Sequence, residues 1–441
     1  MKVREAVSIV LIASNKVFVI ERQNYLASFP GYTAFPGGKV DNVDYNQKIR
    51  KFKNVKSHHL SAIVREAKEE LGIDLIECAN NISYMAKATS PDFNPRRFET
   101  FFYRVELKEQ LDFTLDQGEF KNGDWYEANI VVDQWLEGKR LCVPPVRLIL
   151  QELSKNINVT SVEFEQRYCL DTEVPHVETI NGLWQVMPLS DTVPPADRTN
   201  CFVFDEIIID PSPKDEDELK KFLNTIKKVN VKKIFLTHHH PDHHRNLPKL
   251  LEKLRCEVML SEDTESRIKM KWGADYFQCA SKITHLKEGD ILGRWNNQDV
   301  ICYEIPGHDK GQIGIAPKSL EWFVAGDLFQ GIGTVVIGGE ESCMKEYFST
   351  LEKVIQLSPK CVIPSHGIPL GGTYILEKTL KHRKFREQQV LEMFQNGLTI
   401  DEILGKIYFD IPKVLYKYAR ANIESHLKKL ELDGVIKNLD L

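Results

Sequence analysis

Short apolar runs broken by turn residues set the rhythm of this chain. The first run, Ala6 to Ala13, meets the turn "SNK" and then "VFVIERQ", which predicts a two-stranded hairpin. "HLSAIVREAKEELGI" switches to a helical pattern with a face rich in Glu and Lys. From about Val162 to Gly372 the runs "DEIIID", "KKIFLT", "CEVML", "EWFVAGD" and "KCVIPSHG" alternate with amphipathic helices. Chemistry-bearing residues stand where those strands end, the layout of a layered α/β protein. From Thr373 onward the pattern is helical: "KHRKFREQQVLEMF" is basic and amphipathic, and "LTIDEIL" is an N-capped helix start. "YARANIESHLKKLELDGVIKNL" predicts a helix, a turn at Asp433-Gly434 and a short strand. No internal repeat and no low-complexity tract interrupts these three regions.

Length turns the regions into domains. A chain of 441 residues exceeds one ordinary core, and the boundaries expected are 1–155, 162–372 and 373–441. The linker around Glu152 to Gln166 is short, so packed domains are expected. The hydrophobic fraction of 42% and charged fraction of 27% are those of a globular protein. A net charge of −5 gives no overall basic footprint, so any nucleic-acid contact must come from a local patch. The nine cysteines form no C-x-x-C pair, which argues against a zinc knuckle or disulfide framework and for reduced thiols inside a cell. The basic start and apolar run also fit a weak signal peptide, but the second strand after "SNK" favours the hairpin. No apolar run is long enough to span a membrane. The compartment expected is cytoplasmic, with an organelle such as the mitochondrion open, and oligomerisation is open as well.

"FLTHHHPDHHRN" holds five histidines and an aspartate within seven positions. In H-x-H-x-D-H order, His238, His240, Asp242 and His243 can converge just past the strand "KKIFLT", on a turn stiffened by Pro241. Nitrogen and carboxylate donors together suit zinc or a neighbouring first-row metal. His308 in "IPGHDKGQIG", Asp327 in "FVAGDLF" and His366 in "VIPSHGIP" occupy similar strand ends. His239 and His244 fall between the patterned positions. His58, His59, His176, His285, His382 and His426 fit no motif. The competing reading is a histidine-rich surface loop, which four separate motifs argue against.

This set resembles the metallo-β-lactamase superfamily over about two hundred residues, in the family's motif order, with Asp210 of "EIIIDPSP" as the supporting aspartate. The resemblance implies an αβ/βα sandwich holding two zinc ions. His238, His240 and His308 would bind one, Asp242, His243 and His366 the other, and Asp327 would bridge. Asp242 would also accept a proton from the attacking water.

In the N-terminal region, "FPGGKVD" precedes "REAKEELGI". Glu66, Glu69 and Glu70 stand at helical spacing on one face. Their mutual repulsion would be relieved by a hard divalent cation such as magnesium or manganese. These residues resemble the Nudix box, which implies an αβα sandwich and cleavage of a diphosphate, with Glu66 as a catalytic candidate. Arg65 lies 27 residues after Gly38, farther than the family's usual spacing, and Ser57 stands where its first glutamate is expected. A long insertion with Asp41 nearby resembles the branch that includes coenzyme A diphosphatases. That implies a nucleoside diphosphate or coenzyme A-like small molecule as ligand. An ordinary charged helix, or a Nudix module that only binds nucleotide, stays open.

The tail has the outline of a winged helix. Together with the histidine region it resembles the β-lactamase-like protein 2 family, metallo-β-lactamase-fold endoribonucleases acting on single-stranded RNA. Lys381, Arg383, Lys384 and Arg386 form its dense basic patch and are the candidate RNA contacts; a solvated helix face or a dimer contact is the bland reading. The expected fold is thus α/β and α+β multidomain, and the expected activity is phosphodiester hydrolysis beside a Nudix-type diphosphatase. The alternative is a thioesterase like glyoxalase II, which "THHHPDHH" also resembles.

Overall fold

The computed structural model describes residues 3–437 apart from 47, 48, 50, 53, 92, 93, 95, 96 and 165–167. The chain forms two compact units, Met1–Arg167 with Glu178–Asn181, and Tyr168–Val177 with Gly182–Leu441.

In the first unit the hairpin forms as the pattern predicts. Strands Arg4–Ala13 and Lys16–Arg22 pair antiparallel, and Ser14 and Asn15 take the left-handed backbone that a tight two-residue turn requires. Arg4–Ala13 also runs parallel to Phe98–Leu107 in the middle of a seven-stranded sheet. Its pleat sends alternate side chains to opposite faces. Val7, Ile9 and Leu11 pack with Leu60, Ile63, Ala67 and Leu71 of the helix Ser57–Leu71. Val10 and Ile12 pack with the helices Ala128–Leu136 and Pro144–Lys155 on the other side. A near-solid apolar strand is what a sheet covered by helices on both faces demands. The expected linker begins within the end of Pro144–Lys155, and residues 165 and 166 fall outside the described part.

The second unit has two sheets. One runs in the order Lys282–His285, Glu257–Leu260, Lys233–Phe235, Ile207–Ile209, Cys201–Phe204, Leu183–Val186. The other runs Ile291–Trp295, Gln298–Glu304, Ile313–Pro317, Phe323–Val324, Cys361–Ile363, Leu370–Gly371. Val203, Ile208, Ile234 and Val258 face the helices Glu216–Ile226 and Leu247–Leu254. The alternate residues face the other sheet, where the Phe204 ring meets Trp322 and Ile207 leaves no room for a side chain at Gly293. The second sheet's outer face packs on Met344–Leu357. The result is the expected αβ/βα sandwich. The ends of Ile207–Ile209, Lys233–Phe235, Phe323–Val324 and Cys361–Ile363 all carry site residues, so sheet order gathers distant sequence motifs at one edge.

The tail belongs to this second unit and has its own small core. Val390 of the helix Tyr374–Gln395 packs with Ile403, Leu404, Ala419, Ile423, Leu427 and Leu430 from the helices Ile400–Ile407 and Tyr416–Leu432. Thr399 caps its helix as expected, in a reciprocal pair with Glu402. The final strand expected after Asp433-Gly434 does not appear through residue 437, and 438–441 lie outside the described residues. No helix among the described residues is long and apolar enough to cross a membrane.

Candidate metal centre

His238 enters the site three residues beyond the end of strand Lys233–Phe235, and His240 N-caps the short helix Pro241–His244. Pro241 opens that helix at a position where its missing N–H costs nothing. The turn of helix brings Asp242 and His243 to the same side. His308 follows Gly307, whose φ of +130° and packing against the Tyr347 backbone admit no side chain. Asp327 lies in the turn Gly326–Leu328, and His366 lies beyond the strand Cys361–Ile363.

These residues form two groups that share a carboxylate. His240 Nδ1 lies 3.1 Å from His238 Nε2 and 2.9 Å from His308 Nε2. Across the site, His366 Nε2 lies 3.5 Å from Asp242 Oδ2, and His243 Nε2 lies 3.9 Å from Asp242 Oδ1. Asp327 reaches both groups: Oδ2 is 3.7 Å from His308 Nε2, and Oδ1 is 3.5 Å from His366 Nε2 and 3.8 Å from His243 Nε2. Every residue assigned to this centre from sequence is therefore brought together.

A second ring of contacts aims the ligands. Asp210 Oδ2 accepts from His243 Nδ1 at 2.9 Å, and the same carboxylate accepts from the Thr237 N–H and hydroxyl. Nδ1 of His308 meets the Val336 carbonyl, and Nδ1 of His366 the Arg198 carbonyl, each at 2.9 Å. Those contacts hold a proton on Nδ1 and turn Nε2 inward, the usual arrangement around a bound metal. Sequence reading found Asp210 but missed Thr237 and both carbonyls. It also missed Glu341, whose Oε1 lies 3.8 Å from His240 Nε2. Carbonyl partners carry no sequence signal. His239 and His244 are kept out of the ligand set: His239 Nδ1 pairs with Asp309, and His244 joins Tyr276 to the His239 carbonyl.

The electrostatics fit a cation. Burial and neighbouring imidazoles push His308 down to about 4 and His238 well below its usual value, so both present neutral rings. Against the burial that would raise them, histidine neighbours hold Asp327 and Asp242 below the usual carboxylate range. Burial opposes charge on His243, but Asp210, Asp242 and Asp327 carry it up to about 10. His243 Nε2 and Asp327 Oδ1 are buried with no hydrogen-bond partner. Leaving such atoms bare is costly, and an ion between them removes the cost. Nitrogen and oxygen donors in this number suit zinc-class metals better than magnesium.

Three segments of the chain match family models: the metallo-beta-lactamase superfamily over residues 194–366, the NUDIX domain over 2–143, and the beta-lactamase associated winged helix domain over 399–441. The chain joins a Nudix domain, a metallo-β-lactamase domain and a winged helix domain. It is 28% identical over 254 residues to a Drosophila melanogaster protein named Beta-lactamase-like protein 2 homolog, spanning 52% of this chain and 80% of that one. A Bdellovibrio bacteriovorus hydroxyacylglutathione hydrolase is 28% identical over 153 residues, 34% of this chain and 54% of that one. Among solved structures, a beta-lactamase domain protein from Burkholderia ambifaria superimposes with a TM-score of 0.50 at 17% identity, covering 59% of this chain and 88% of that one, a likeness of fold.

The Nudix helix is arranged differently from the metal edge. Arg65 ties Glu66 at 2.8 Å and Glu69 at 3.1 Å, and is itself gripped by buried Asp44 and the Lys39 carbonyl. Glu70 Oε2 accepts from the Gly37 N–H at 2.7 Å. Gly37 has φ +138° and packs on the Val7 carbonyl, so the glycine there is required. Arg65 Nη1 is thus the shared donor of Glu66 and Glu69, while Glu70 is held separately; among the described residues, Glu66, Glu69 and Glu70 do not converge as a ligand-spaced group. Burial lifts Glu66 to about 7 against the pull of Arg65, and burial with the Glu66 charge lifts Glu70 to about 9. Glu69 is exposed. Asp44 was not singled out from sequence, because its partner Arg65 lies beyond the insertion.

The basic patch is corrected by the structure. Arg383 is buried, hydrogen-bonded to Asn422 Oδ1 and the Val335 carbonyl, so it ties the tail helices to the Val335 segment and is not open to RNA. Arg386 is half-buried with its guanidinium over the Tyr408 ring. Lys381 and Lys384 remain exposed, Lys384 beside Glu352 at 2.8 Å.

Proposed function

We propose that the metallo-β-lactamase domain is a dinuclear zinc phosphodiesterase cutting single-stranded RNA, joined to a Nudix domain that hydrolyses a nucleoside diphosphate or coenzyme A-like molecule with magnesium or manganese. The observation that carries the first part is the pair of ligand groups sharing Asp327. His238, His240 and His308 would hold one ion, and Asp242, His243 and His366 the other. When bound, two such ions supply Lewis-acid polarisation of the phosphodiester and of water. Asp242, ionised and beside His366, accepts the proton from attacking water. The outer contacts of Asp210, Thr237 and the carbonyls of Val336 and Arg198 keep the rings from turning.

The winged helix behind the last histidine supports RNA as the substrate, with Lys381 and Lys384 as the phosphate contacts. A flexible single strand threads into a metal cleft more readily than a duplex. The match to hydroxyacylglutathione hydrolases supports a second reading, a thioesterase. In the Nudix domain, the high proton affinity of Glu66 and Glu70 supports a site that gains its charge when a cation arrives. Parallel assays of zinc-loaded protein on single-stranded RNA and on an acyl-glutathione thioester separate the readings. RNA cleavage without thioester hydrolysis is expected; the reverse overturns the proposal.

A further inference from the structure

Away from the Nudix helix's glutamates, Glu5 of the strand Arg4–Ala13 faces the first turn of the helix Ser57–Leu71. Glu5 Oε2 lies 3.4 Å from His58 Nε2 and 3.6 Å from His59 Nε2. The three ligand atoms fall within 4.8 Å of one another. Neither histidine fits a motif in the sequence.

His59 is fully buried, and its Nε2 has no hydrogen-bond partner. Its other nitrogen, Nδ1, is 2.7 Å from Tyr103 Oη. With the proton on Nδ1, donated to the Tyr103 oxygen, Nε2 is left as a lone pair aimed at Glu5. Burial and the neighbouring His58 push His59 down to about 4, which keeps the ring neutral and argues against a simple imidazolium–carboxylate pair. Glu5 Oε2 accepts from Tyr45 Oη at 3.0 Å, and the Tyr45 ring stacks on His58 at 4.7 Å. Nearby Lys56 directs its ammonium over the Phe101 ring, 5.0 Å from the centroid. Each of the three residues thus has an outer partner that orients it, as ligands of a built metal site do. A bare buried imidazole nitrogen facing a carboxylate is otherwise an unrepaid cost.

We propose that Glu5, His58 and His59 form a separate site for a single divalent cation of the zinc class, with a fourth position open to water. Two imidazoles and one carboxylate match such a cation and not magnesium. The ion would clamp the start of the glutamate-bearing helix to the central sheet.

The test is titration of the full metal-free chain with Co2+, read by its visible absorption and by the number of ions bound. His58→Ala and Glu5→Gln are each expected to bind one fewer ion than wild type. Each deficit is expected to add to the separate loss caused by His240→Ala. Glu5→Gln, nearly isosteric and at a half-buried position, keeps the test sound if His58→Ala fails to fold. Unchanged Co2+ stoichiometry and absorption in Glu5→Gln would overturn the proposal.

Discussion

Asp210 Oδ2 lies 2.9 Å from His243 Nδ1, and this contact decides which ring nitrogen faces Asp242 and Asp327. Asp210→Asn keeps the size but loses the anionic acceptor. The expected result is about 10–100-fold weaker binding of one of two zinc ions, as loss of an outer-shell partner typically gives. Calorimetric titration of metal-free protein checks it.

Asp242 is proposed as ligand and proton acceptor together. Asp242→Asn is expected to lower turnover by about 10²–10⁴-fold, the usual range for a lost acid–base group. RNA affinity, measured by filter binding, should stay near wild type.

Glu70 gives a pH signature in the metal-free protein. Its folded value near 9 stands above the ordinary carboxylate value of 4.5, so the folded state keeps a proton that the unfolded state releases. Its stabilising contribution is complete below about 4.5 and is lost as pH rises towards 9. Urea midpoints should therefore fall over that window, less so with magnesium present, and Glu70→Gln should flatten the slope.

The basic helix separates into two roles. Arg383→Ala is expected to destabilise the tail by about 2–3 kcal/mol, since it strands buried partners of a charged donor. Lys381→Ala and Lys384→Ala should leave stability unchanged. Each is expected to reduce the salt dependence of single-strand binding by about 0.7 in log–log slope. Thermal melts and salt titrations distinguish them.

What sequence made legible follows from chemistry that repeats in a recognisable order. His238, His240, Asp242, His243, His308, Asp327 and His366 stand at or just past strand ends, and the family resemblance of their motif order implied that they converge. The hairpin, the glutamate-bearing helix and a layered α/β region were legible from apolar spacing, and the αβ/βα sandwich from the family resemblance. Arg383 was misread because a basic run on a helix does not say which member turns inward, and only the Asn422 and Val335 partners decide that. The grip of Asp44 on Arg65 spans an insertion, and the Glu5–His58–His59 cluster needs a strand and a helix brought together in space. Neither leaves a local motif.

Cleavage of an end-labelled single-stranded RNA by zinc-loaded protein, run beside His240→Ala, tests the central claim most directly. His240 Nδ1 sits between His238 and His308, so its loss should abolish that metal group and the cleavage with it. Full activity in wild type and background in the variant is the expected result. Equal cleavage by the two proteins would contradict the account.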